Sequence, residues 1–108
     1  MVRVTFFQNR EQQLTGFDCA GHADYAEEND VVCAAVSALV ITCINSVEVL
    51  TGELFTCDTD EEHGMISFRL QDGSGSGAQL LLQSLALGLE EMEDNYEEYL
   101  DLTFEEVT

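Results

Sequence analysis

The chain has 108 residues, 45% of them hydrophobic, with 22 acidic side chains against three arginines and a formal charge of −19. That length predicts one domain, residues 1–108, around a single core, and the apolar content argues against disorder. Three arginines cannot build the cationic footprint that nucleic acid or an anionic bilayer demands, so direct nucleic-acid and membrane partners are excluded, whereas a basic protein would be attracted.

Residues 2–8 alternate, with Val2, Val4 and Phe6 on one face, and predict a strand. A polar turn leads to a second strand over 14–20, the hairpin partner of the first. Gly21 ends it and His22 follows. Residues 23–29 lack an apolar period and read as a loop. Asp30 then stands as an N-cap before a helix carrying Val32, Val36, Leu39, Val40, Cys43 and Val47, which Gly52 stops. The apolar run from Val31 to Leu50 is broken by polar residues, so a buried helix is expected rather than a membrane span. Residues 54–59 and 65–70 predict two more strands around a hairpin loop at 60–64.

Residues 71–77 form a flexible Gly/Ser connection. They lack the Lys-Ser/Thr ending of a phosphate loop. A second helix over 78–95 follows, with Leu82, Leu85, Leu89, Met92 and Tyr96 in one seam. Leu80, Leu81 and Leu87 lie off that seam and suit either a dimer contact or a thicker core. Glu90, Glu93, Asp94 and Glu97 repel one another at helical spacing and oppose the macrodipole, so leucine packing must hold this helix. Residues 99–107 alternate again as a last strand. The order β-β-α-β-β-α-β predicts an α+β fold, a mostly antiparallel sheet of about five strands with two helices on one face.

The N-terminal segment 1–10 has no apolar h-region, so a cytoplasmic protein is expected. Cys19, Cys33, Cys43 and Cys57 contain no CxxC pair and read as free thiols, with Cys19, Cys43 and Cys57 in the core. His63, Glu61 and Glu62 lack metal-ligand spacing, and His63 reads as a solvated turn residue. Neither metal nor cofactor is expected.

His22 and Cys33 carry the chemistry. Cys33 lies in the first turn of a helix, whose free N–H groups and partial positive charge favour thiolate and can hold an oxyanion. A histidine nearby would lower the thiol pKa and later protonate a leaving amine. On spacing alone, a core cysteine and a strand-end histidine bonded to backbone are the simpler reading. Asp30 can cap the helix or orient His22, and Ser37 lies one turn beyond Cys33.

The block Gly21-His22-Ala23, an acidic loop, and Asp30-Val31-Val32-Cys33-Ala34-Ala35-Val36-Ser37-Ala38-Leu39 closely resembles the signature of the bacterial ribosomal-processing cysteine protease family (Prp). Residues 77–88 and the acidic, tyrosine-bearing segment 96–100 continue the resemblance across nearly the whole chain. It implies a cytoplasmic, homodimeric cysteine endopeptidase. Such an enzyme removes the short N-terminal extension of a large-subunit ribosomal protein, a basic precursor, by cutting after an aromatic residue. Cys33 would be the nucleophile and His22 its base. Asp30 and Ser37 would support them, and Ala23, Asp24, Tyr25, Ala26, Glu27, Glu28 and Asn29 would form a loop over the substrate. Two other readings use the same residues. One is a non-catalytic acidic dimeric module that binds a basic ribosomal protein or assembly factor. The other is a redox sensor at Cys33, which lacks a resolving cysteine nearby in sequence.

Overall fold

The computed structural model describes residues 1–21, 30–71 and 75–107. Strands β1 (Val2–Gln8) and β2 (Leu14–Ala20) precede helix α1 (Asp30–Ser46), which continues into a π-helical turn, Val47–Thr51. Strands β3 (Phe55–Asp60) and β4 (Met65–Leu70), helix α2 (Ser76–Asn95) and strand β5 (Leu100–Glu106) follow. The five strands form one sheet in the order β3-β4-β2-β1-β5. Three neighbouring pairs are antiparallel, and β5 lies parallel to β1, with Val2 opposite Leu100 and Phe6 opposite Phe104.

Alternation selects the inner face. Val2, Val4, Phe6, Phe17, Cys19, Ile66, Phe68 and Leu100 are buried and belong to one core cluster with Val32, Val36, Val40 and Cys43 of α1 and Leu82, Leu85 and Leu89 of α2. One phenylalanine from each strand joins a row across the sheet. Phe104, Phe6, Phe17, Phe68 and Phe55 follow one another with ring centroids 5.4, 5.8, 5.1 and 4.9 Å apart. These spacings lie in the favourable range for offset and tilted aromatic pairs. Phe7 points to the other face, where the Arg69 guanidinium sits 4.3 Å above its ring and Nη1 lies 2.9 Å from Asp18 Oδ1. One of the three arginines is thus held against the outer face of the sheet.

The helices start and stop through contacts that are distant in sequence. Gly52 ends the π-helical turn in the left-handed region at φ 68°. The Glu53 carboxylate then reaches α2, where it accepts hydrogen bonds from Gly75 N–H and, at 2.9 Å, from Ala78 N–H. This cap starts α2 at Ser76, two residues before the expected Ala78, and places the chain's own anion where a phosphate loop would hold its ligand. Replacing a capping side chain by alanine typically costs about 0.5–2 kcal/mol. Glu53→Ala should therefore lower the urea midpoint by that equivalent with an unchanged m-value. At the other end of α2, Glu93 accepts from Leu102 N–H at 2.6 Å, so one of the repelling acids anchors β5. In the first turn of α2, the buried Gln79 amide pairs with both backbone groups of Leu14 at 2.8 and 2.6 Å.

Four expectations need correction. Asp30 is the first residue of α1 instead of preceding it. Helix α1 is apolar on its outer side as well as its inner one, with Val31 70% and Ile41 49% exposed, so it is one layer of the core and not a fully buried helix. Leu80 and Leu87 are exposed, which removes the thicker-core alternative for them, and Tyr96 lies just past the helix end, 44% exposed. Cys57 is exposed rather than buried. It faces the helix side of the edge strand β3, where it pairs with Phe68, and the two helices leave that edge of the sheet partly open.

Candidate active site

The site begins where β2 ends. Gly21 has φ 86°, and a Cβ there would lie 2.3 Å from the Met1 carbonyl oxygen. Only glycine fits both the left-handed backbone and that close approach. It follows the last residue of β2 and immediately precedes His22. His22 and the expected substrate-covering loop 23–29 lie outside the described residues. Gly21→Ala should cost about 1–3 kcal/mol in backbone strain. Cleavage activity should fall with it, and thermal unfolding of the variant read beside its turnover checks both.

Across from β2, α1 opens at Asp30, which makes Cys33 its fourth residue. The first four N–H groups of a helix have no partner within it. Cys33 therefore carries its thiol beside the positive end of the helix dipole, where electron density on sulfur or on a nearby oxyanion is favoured. The side chain points inward and is 3% exposed, next to the fully packed Val32 and Val36. Ser37, one turn further along α1, is half-buried.

Burial raises the pKa of each of the other three thiols. Burial, with a smaller contribution from the charge of Cys33, pushes the Cys19 thiol up to about 12. That electrostatic contact puts Cys19 of β2 in the neighbourhood of Cys33, which the sequence reading missed because the two residues belong to different elements. Burial also pushes Cys43 up to about 11, and its Sγ donates to Leu81 O at 3.7 Å, joining the helices. Burial and the neighbouring Asp58 raise Cys57. A thiol raised as far as Cys19 is protonated at neutral pH and makes a slow resolving nucleophile, which disfavours the redox-sensor reading. His63 Nδ1 donates to Asp60 Oδ2 at 2.7 Å in the exposed β3–β4 hairpin. Among the described residues no group of three potential metal ligands occurs.

The cysteine protease Prp family model matches residues 1–101. The chain belongs to that family. It is 32% identical to the ribosomal processing cysteine protease Prp of Bacillus subtilis, over 95% of this chain and 96% of the relative. It is also similar to two crystal structures of the essential ribosomal processing protease Prp of Staphylococcus aureus. The complex of that protein with a substrate peptide superposes with a TM-score of 0.92 at 31% identity, over 97% of this chain and 100% of the other. The complex with a covalently linked product peptide gives 0.88 at 32%, with the same coverage. The α+β fold expected from the element order and the cysteine-protease activity expected from the Prp resemblance hold.

Proposed function

We propose that this Prp-family protease removes the N-terminal extension of a basic large-subunit ribosomal protein by cutting after an aromatic residue, with Cys33 as nucleophile and His22 as its acid and base. The observation that supports this most is the position of Cys33 in the first turn of α1, in a family whose Staphylococcus aureus member is seen covalently linked to product peptide. The Cys33 thiolate attacks the scissile carbonyl, and N–H groups at the start of α1 hold the oxyanion. His22 protonates the departing amine. Water, deprotonated by the same imidazole, then hydrolyses the thioester and frees Cys33. Asp30 and Ser37 support the site from α1, and residues 23–29 cover the substrate.

Substrate access matters here, because Cys33 is nearly closed off in the fold described. The net charge of −19 favours encounter with a basic precursor and predicts an association rate that falls with salt. The exposed Val31 and Leu39 of α1 and Leu80 and Leu87 of α2 provide apolar surface for the homodimer. The reaction needs no metal or cofactor and takes place in the cytoplasm, as part of ribosome maturation.

The test is to incubate the purified protein with a recombinant ribosomal-protein precursor carrying its extension and to read the intact mass. A single cut after an aromatic residue supports the reading. A precursor that stays whole but co-purifies with wild type and Cys33→Ser alike would instead mark a non-catalytic binding module.

A further inference from the structure

The open edge of the sheet has its own cavity. It measures about 340 Å³ and lies between the second half of α1 and the β3–β4 hairpin. Ile41, Ile44, Cys57 and Met65 give it apolar walls, and Asp60 and Glu61 stand at its rim. Ile41 is 49% and Met65 36% exposed, so the walls continue onto the surface. Hydrogen bonds from His63, the side-chain one foremost, hold the Asp60 carboxyl below its ordinary range and keep the rim charged. The volume falls at the small end of ligand pockets.

We infer that this cavity is a second substrate-docking site, which takes an apolar side chain flanked by lysine or arginine from the basic protein being cut. The inference rests on the protease reading above. Charge complementarity selects the occupant. At this acidic rim a second copy, with 22 acids and three arginines, would set like charge against Asp60 and Glu61, whereas the surface proposed for the homodimer is formed by Val31, Leu39, Leu80 and Leu87. A basic substrate segment pairs with Asp60 and Glu61 and buries its apolar residue on Ile41 and Met65.

Position along α1 gives the reach. Ile41 and Ile44 follow Cys33 by eight and eleven residues. At 1.5 Å per helical residue the cavity lies roughly 12–16 Å along the helix from the nucleophile. An extended peptide covers that span in about four or five residues. The docked side chain is therefore that far, or slightly farther, from the scissile bond, and a peptide with three residues on either side of the cut does not reach it.

The experiment compares wild type, Ile41→Glu, Cys57→Trp and Glu61→Lys on the full precursor and on such a short peptide. Ile41→Glu charges the wall, Cys57→Trp fills the cavity, and Glu61→Lys reverses the rim. The expected result is a roughly tenfold fall in the ratio of kcat/KM for precursor over peptide, carried by KM. The same substitutions in a Cys33→Ala background should raise the Kd for uncleaved precursor by a similar factor. Equal losses on both substrates, or no change in the ratio, would overturn the proposal. So would size-exclusion data in which Ile41→Glu turns a wild-type dimer into a monomer, because the face would then be a contact between copies. A wild type that cuts neither substrate overturns the protease reading alone, and the Kd series still decides whether the cavity binds the precursor.

Discussion

Cys33→Ser should reduce precursor cleavage by at least about a thousandfold, a loss in line with removal of a covalent nucleophile from a protease. The loss should appear in kcat, because the thiol acts on a bound carbonyl and contributes little to peptide affinity. A serine hydroxyl at the same helical position enjoys the same dipole but stays protonated at neutral pH, so the helix start cannot activate it as it does a thiol. His22→Ala should fall by a comparable factor and, in contrast to wild type, lose the acid-side limb of its pH–rate profile. Circular dichroism of Cys33→Ser should match wild type, which separates chemistry from folding. Cleavage within tenfold of wild type in Cys33→Ser would return Cys33 to the role of a packed core residue.

The second large effect is structural. Phe17→Ala should lower the unfolding free energy by about 3–5 kcal/mol, a cost typical of deleting a buried aromatic ring. Phe17 is the middle member of the phenylalanine row, fully buried on the central strand β2, with Phe6 on one side and Phe68 on the other. Its loss leaves a void between two rings that are themselves fixed by strand register, so the site cannot easily collapse. Small domains have only about 5–15 kcal/mol to lose, and the variant should be substantially destabilised at 37 °C. Urea titration followed by circular dichroism measures it. Phe104→Ala, at 42% exposure on the edge strand β5, should cost clearly less.

The contrast between these two phenylalanines marks how far the sequence could be read. Alternation placed β1, β2 and β4 to the residue, and the apolar seam of α2 was correct from Leu82 to Leu89, because these signals are local. The parallel seat of β5 beside β1 was not legible, since nothing within residues 99–107 says which strand it joins. Nor were the carboxylates of Glu53 and Glu93, which in sequence look like two more surface acids and in space start a helix and hold a strand. Cys57 looked like core because its strand alternates, but its exposure depends on how far α1 reaches across the sheet. The candidate site was legible for a different reason. Cys33 and His22 were named from the resemblance of the Gly21-His22-Ala23 and Asp30–Leu39 blocks to the Prp signature, because their spacing alone also suits a core cysteine, and the structure adds that Gly21 has no room for a Cβ beside the Met1 carbonyl.

The seat of β5 also sets the order in which this molecule can be made. A nascent chain emits β1 first and β5 last, almost a hundred residues later, yet the two strands share a ladder from Val2 and Leu100 to Gln8 and Glu106. Until β5 has been made, β1 pairs with β2 alone and its outer edge remains unsatisfied, an open template for another chain. The loop closed by this pairing is the longest the chain offers, which places the step late and makes it slow relative to hairpin formation. Folding to the active form thus waits for β5. Truncation before residue 100 should yield an aggregation-prone sheet rather than a smaller protease.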